Sequence, residues 1–224
     1  MNENVSESKY LFWENVQAVE DVKKVLQKNN VVLSSTDTVC GLLADVSEKS
    51  FKTLHEIKSD RGSKPYLILI DTVRKLDHFV DTKLLTKKML NVIKNCWPGP
   101  LTIIFNAKKT VPEFLQSETN TIALRCPKHD GLQNILQHFD GLFSTSANKS
   151  GQKPPSNVSE VEKDVLDSVA CVITDKLEQQ ESLPSSIIDF SSVDSSSHGG
   201  HQEEKIKIAR EGAFSREELE KYYE

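Results

Sequence analysis

Short runs of aliphatic and β-branched residues recur along this chain, and between them the apolar positions fall three or four apart. The runs are "VVLSS" (31–35), "YLILI" (66–70), "LTIIF" (101–105), "TIALR" (121–125), "GLFST" (141–145), "ACVIT" (170–174), "SSIIDF" (185–190) and "KIKIA" (205–209). Each has the length and branching of a strand. Helical spacing predicts helices over about 16–28, 48–58, 84–95, 130–138, 158–168 and 215–223. In the second, Phe51, Leu54 and Ile57 recur every third residue, and Ser47 stands where an N-cap belongs. Interleaved elements of both kinds predict an α/β or α+β fold with a sizeable twisted sheet. With no internal repeat and no long linker, one domain over residues 1–224 is expected, its core spanning about 16–214. The polar stretch "SSVDSSSHGGHQEE" (191–204) reads as a flexible loop between the last two strands. Its two histidines bring no partner ligands, so no metal site is expected there.

Composition narrows the function classes. Hydrophobic residues make up 37% of the chain and charged ones 27%, enough of each for a soluble protein with a real core. The formal charge of −5 argues against a surface that grips nucleic acid by its backbone, although a local basic cleft would not register in the total. Cys40, Cys96, Cys126 and Cys171 are widely separated and never form C-x-x-C, which disfavours a disulfide scaffold or zinc ribbon and suits a reducing compartment. The start, "MNENVSESKY", lacks the charged-then-apolar design of a secretion signal, and no apolar run approaches the ~20 residues of a spanning helix. A cytoplasmic protein, with no membrane association, is expected.

Five polar clusters lie at strand ends, where a rigid sheet can present side chains to a crevice. "SSTDTVCG" (34–41) places Thr36 and Thr38 around Asp37, as either an ordinary strand-to-helix turn or a ligand loop. "EIKSDRGSKP" (56–65) carries Lys58, Arg61 and Lys64, either a helix end favoured by cations or a clamp for a triphosphate or pyrophosphate. "CWPGP" (96–100) makes a stiff turn that fixes the floor of a site and offers no reactive group. In "TIALRCP" (121–127), Arg125 shares a side with Thr121 and Ala123, opposite Ile122 and Leu124. An arginine closing an apolar strand must reach water or find an anion, from a carboxylate ligand or from a structural aspartate. In "FSTSANKSG" (143–151), Ser144, Thr145, Ser146 and Asn148 supply more donors and acceptors than a helix cap uses. The P-loop, G-x-G-x-x-G, G-x-S-x-G and H-E-x-x-H patterns are all absent.

Taken in order, "SSTDTVCGL", "KSDRGSKP", "PGPLT", "ALRCP", "STSANKSG", "SSIID" and "REGA" resemble the motifs of the YrdC/TsaC family, the threonylcarbamoyl-AMP synthases. "PGPLT" followed by "STSANKSG" is the specific part. The resemblance implies a YrdC-like α/β fold, a twisted, mixed or parallel β-sheet flanked by helices around a large concave cationic cavity. It implies a nucleotidyltransferase that joins L-threonine, bicarbonate or CO2 and ATP into L-threonylcarbamoyladenylate, releasing pyrophosphate. A partner transferase then carries the threonylcarbamoyl group to an adenosine of tRNA. Thr38, Arg125, Ser144 and Ser185 are implied to hold L-threonine, with Arg125 on its carboxylate. Lys58, Arg61, Lys64, Thr121, Ser146, Asn148 and Arg210 are implied to surround ATP, and of these Lys58, Arg61, Ser146 and Asn148 are implied to be catalytic. Mg²⁺ is implied on the ATP phosphates, without a dedicated carboxylate cage.

The chain departs from the family pattern at three places. Ser35 replaces a proline and Cys40 a tyrosine, which predicts a smaller wall beside threonine. Asp60 stands where the family has arginine, with Arg61 one place later. A carboxylate facing triphosphate is repulsive unless it binds Mg²⁺, so a one-residue shift of the loop is expected to bring Arg61 in. Two other readings differ in class. A carbamoyl-transfer module like that of hydrogenase maturation proteins predicts zinc-finger and acylphosphatase segments, and this sequence has neither. A non-catalytic RNA- or nucleotide-binding module, with direct double-stranded RNA binding, predicts a steep salt dependence.

Overall fold

β-Branched and aliphatic residues that are buried on both sides build a sheet too wide to leave unflanked, and the helices follow from that need. The computed structural model describes residues 9–58, 65–149, 151–177, 182–192 and 206–224. In chain order these form β1 (Tyr10–Phe12), α1 (Val16–Gln27), β2 (Val32–Ser34), β3 (Gly41–Asp45), α2 (Glu48–Ile57), β4 (Leu67–Leu69), α3 (Leu76–Phe79), α4 (Lys87–Cys96), β5 (Leu101–Asn106), β6 (Thr121–Arg125), α5 (Asp130–Leu136), β7 (Leu142–Ser146), α6 (Lys163–Ser168), β8 (Cys171–Thr174), β9 (Ser186–Asp189), β10 (Lys207–Arg210) and α7 (Arg216–Tyr223). Among the described residues the sheet has ten strands in the order β1-β8-β2-β3-β7-β4-β6-β5-β9-β10. Four strand pairings are parallel and five antiparallel, a mixed sheet.

Each strand sends alternate residues to opposite faces. On one face, Leu33, Leu42, Ile68, Ile103, Leu124 and Phe143 join a core that takes in α2, α4 and α7. Along α4, Met89, Val92, Ile93 and Cys96 are buried at helical spacing, and Thr86 caps its start by accepting from Met89 N. On the other face, Val32, Leu43, Leu69, Leu142 and Ile173 pack against Ala18, Val22 and Leu26 of α1 and Leu132, Ile135 and Leu136 of α5. These two helices cover only part of that face, and the uncovered part mixes apolar residues such as Leu67, Ile104 and Ile187 with small and polar ones such as Thr102, Ala123 and Ser144.

Several expectations change in detail. "SSTDTVCG" does not lead from a strand into a helix: β2 passes to β3, which pairs with it antiparallel, Val32 opposite Leu43. Burial reaches beyond the expected 16–214 core, since Trp13, Leu219 and Tyr223 are buried and β1 pairs with β8. The helix expected over 158–168 is a 3-10 turn at Val158–Glu160 and then α6, because Val161 and Glu162 are extended. Ser191 and Ser192 form a turn, while 193–204, including both loop histidines, lies outside the described residues.

Candidate active site

The uncovered part of the sheet forms the floor of a cavity of about 670 Å³. Its lining follows from the two-residue period of the strands: Leu67 and Leu69, Thr102 and Ile104, Ala123 and Arg125, Ser144 and Ser146. Ile122 and Leu124, one residue out of phase, face the core behind. The β2–β3 connection closes one side through Thr36, Asp37 and Thr38, and Ser185 and Arg210 close another.

Arg125 is 4% exposed and held at every nitrogen. Nε donates to Gly99 O at 3.1 Å, and Nη1 donates to Thr38 Oγ1 at 2.9 Å. Nη2 lies 2.7 Å from Asp37 Oδ1, an ion pair in which neither atom meets hydrogen-bond geometry. The "PGP" turn thus supplies a carbonyl to the guanidinium, and the structural anion is Asp37. Burial pulls the Arg125 pKa down, and the adjacent negative charge of Asp37 opposes it. An arginine remains cationic under any such shift.

Ser185 joins two strands of the site. Its Oγ shares a hydrogen bond with Thr102 Oγ1 at 2.9 Å, its carbonyl accepts from Arg210 Nε and Nη2 at 3.0 and 2.7 Å, and its Oγ also accepts from Nη2 at 3.1 Å. Arg210 as a residue is exposed at the rim, but its head is tucked against Ser185. Desolvation and then the like charge of Arg125 lower its pKa. The two guanidinium groups thus face one cavity and disfavour each other electrostatically.

In the loop after β7, Ser146 Oγ donates to Asn148 Oδ1 in a short bond, and Asn148 Nδ2 donates to Gln152 O at 2.6 Å. Lys58, buried at the end of α2, donates from Nζ to Ser146 O at 3.0 Å and to Asn148 O. Lys58 therefore ties the helix to this loop. Gly151 has φ +84 with open space around it, so glycine serves here for its backbone freedom.

The cavity brings together Thr38, Arg125, Ser144, Ser146, Ser185 and Arg210. Lys58 and Asn148 stand just behind the lining. Thr121 does not reach it: at the far end of β6, opposite Asn106, its Oγ1 shares a hydrogen bond with Ser117 Oγ at 2.6 Å. Asp60, Arg61 and Lys64, with the expected one-residue shift, lie outside the described residues. Among the described lining residues the formal charges are those of Asp37, Arg125 and Arg210, a single net positive charge.

The smaller wall expected from Ser35 and Cys40 is not found in this cavity. Both line a separate pocket of about 160 Å³, and Cys40 Sγ donates to Ser156 O at 3.4 Å. The cause is again strand alternation, which turns Cys40 away from the side of Val39 and Gly41. Two site residues escaped the sequence reading. Asp37 was noted only as the residue between two threonines, and Thr102 is the threonine of "PGPLT". The signal in both cases was the motif itself. All four cysteines are buried and free. No group of His, Cys, Asp and Glu among the described residues could hold a metal, and no described helix is long and apolar enough to cross a membrane.

The family model Sua5_yciO_yrdC, described as "Telomere recombination", matches residues 24–212. The chain belongs to the Sua5/YciO/YrdC family. A threonylcarbamoyl-AMP synthase of Yersinia enterocolitica is 33% identical over 150 residues, covering 66% of this chain and 79% of that protein. Another from Photorhabdus laumondii is 31% identical over 154 residues, 68% and 82% of the two chains. The structure of P. abyssi Sua5 complexed with L-threonine superposes with a TM-score of 0.79 at 25% identity, covering 95% of this chain. This chain spans 59% of the length of that Sua5.

Proposed function

We propose that this chain is an L-threonylcarbamoyladenylate synthase, making threonylcarbamoyl-AMP and pyrophosphate from L-threonine, CO2 or bicarbonate, and ATP. One observation carries the reading: a single cavity is lined by Thr38, Arg125, Ser144, Ser146, Ser185 and Arg210. Relatives that bear the synthase name, and a Sua5 solved with L-threonine, support the same assignment.

In this mechanism the threonine nitrogen captures CO2 as a carbamate, losing a proton. A carbamate oxygen then attacks the α-phosphorus of ATP, and the bond to the bridging oxygen breaks to release pyrophosphate. No covalent enzyme intermediate is needed, and catalysis rests on positioning and charge stabilisation. Arg125 receives the threonine carboxylate through the remaining donor of Nη1, helped by Thr38, Ser144 and Ser185. Arg210 and Ser146 face the nucleotide, and Lys58 holds Ser146 and Asn148 in place while adding its charge. Arg61 and Lys64 are assigned to the leaving pyrophosphate on their place in the motif. Asp37 is the sole carboxylate of the described lining and is engaged by Arg125, so Mg²⁺ would arrive with ATP rather than in a protein cage. The product passes to a transferase acting on tRNA, and the reaction belongs to the cytoplasm.

The test is pyrophosphate release from ATP and bicarbonate, with and without L-threonine, with mass detection of the adenylate. Threonine-dependent pyrophosphate together with threonylcarbamoyl-AMP is expected. ATP binding without product, or release indifferent to L-threonine, overturns the assignment.

A further inference from the structure

We infer that Asp37 is a positioning residue of this site, acting on the substrate carboxylate through Arg125. The inference rests on the reading that Arg125 takes the carboxylate of L-threonine. A negative side chain lining an anion site works against affinity unless its charge is already engaged, and that of Asp37 is. Oδ1 lies 2.7 Å from Arg125 Nη2, with the two side chains 10% and 5% exposed. Oδ2 accepts from Lys128 N at 2.8 Å, which anchors the carboxylate to the segment between β6 and α5. Both Oδ1 and Nη2 are shut off from solvent.

The guanidinium is consequently clamped on three sides, by Gly99 O, Thr38 Oγ1 and Asp37. Hydrogen bonds of good geometry commit two of its five N–H groups, and Nη1 keeps one donor for a ligand. Gly99 and Thr38 alone would fix the Nε and Nη1 edge but leave a buried cation unneutralised. Such a cation swings toward water or toward any other oxygen within reach. Asp37 removes that freedom, so the ordering of Arg125 is complete before the substrate arrives. Because Asp37 faces the sealed Nη2, its contribution to binding passes through the orientation of Arg125 rather than through contact with the ligand.

The experiment is calorimetric titration of the full chain with L-threonine and, separately, with ATP. The variants are Asp37→Asn, Asp37→Glu, Arg125→Lys and the double Asp37→Asn/Arg125→Lys. Asp37→Asn is expected to raise the Kd for L-threonine about tenfold and leave that for ATP within about twofold. Asp37→Glu is expected to recover part of the loss. The double variant is expected to bind L-threonine no more weakly than Arg125→Lys alone, because the route through Arg125 is already cut. Losses that multiply in the double variant overturn the proposal and make Asp37 a direct ligand contact. Equal losses for L-threonine and ATP, without recovery in Asp37→Glu, overturn it in favour of a general structural role. Unchanged threonine affinity also overturns it. If Asp37→Asn does not fold, Asp37→Glu alone and in combination with Arg125→Lys is read by the same criteria. A wild-type chain that fails to bind L-threonine instead refutes the proposed function, and this inference with it.

Discussion

Gly99→Ala links the stability of the fold to the geometry of the site. A Cβ at this position would stand 2.5 Å from the carbonyl oxygen of Cys96. The obstacle is backbone at the end of α4, which cannot rotate away as a side chain could. Gly99 is not among the positive-φ residues, so its need is for space alone. Gly99 N donates to Cys126 O at 2.8 Å, and its carbonyl accepts from Arg125 Nε. A shift that relieves the clash therefore disturbs both partners. Overpacking of this kind costs about 1–3 kcal/mol. For a chain of this size each kcal/mol lowers Tm by about 2–4 °C, which predicts a fall of about 2–12 °C. Differential scanning calorimetry of the wild type and variant reads that shift, and L-threonine titration reads the site, where Kd should rise about tenfold as Arg125 loses its carbonyl. A Tm within about 1 °C of the wild type, by the same size scaling, together with unchanged threonine affinity, would refute the reasoning.

Other variants and conditions separate the parts. Arg125→Ala removes charge-assisted hydrogen bonds and should raise the KM for L-threonine about 10–100-fold, while Ser146→Ala removes a neutral one and should raise that for ATP about 2–10-fold. Steady-state pyrophosphate release checks both, and unchanged constants would sink the assignments. Ser186→Ala leaves Phe214 N and O without the hydroxyl that now serves them at 2.9 and 2.7 Å, at a cost of about 1–3 kcal/mol, readable as a lower urea midpoint with little change in slope. Burial, with smaller contributions from neighbouring acids, pushes the Cys40 and Cys96 thiols up to about 12 and those of Cys126 and Cys171 to about 11, from an ordinary 9.0. Both states hold their thiol protons below pH 9, so stability should fall only above it, as the unfolded chain ionises first. Thiol titration with Ellman's reagent at neutral pH should find no fast-reacting cysteine in the native chain and four in denaturant, and a fast native thiol would contradict the burial.

The local sequence was sufficient for most of the elements. Eight strands and the principal helices were legible because a buried strand needs a β-branched run and a half-buried helix needs its spacing, and both are local properties. Two strands were missed for local reasons. β3, "GLLAD", follows a polar cluster and is buried on both faces along most of its length, so it shows no alternation. β1 has only three residues, and its parallel partner β8 lies some 160 positions away. The motif positions were readable as chemistry, and the phase of "TIALR" correctly separated Arg125 from Ile122 and Leu124.

What stayed hidden was which side each residue faces once strands from distant parts of the chain are neighbours. The sequence by itself determined that an arginine at the end of an apolar strand must reach water or meet an anion. Only the tertiary structure decided that Asp37 is that anion, because the pair joins a loop to a strand end 88 residues away in the chain. Side-chain alternation also decided that Cys40 faces a second pocket, and position along β6 decided that Thr121, on the same face as Arg125, stops short of the cavity. Periodicity along one segment encodes its burial, whereas a site is made from the ends of several segments. Its membership depends on register and sheet order, which no single segment contains.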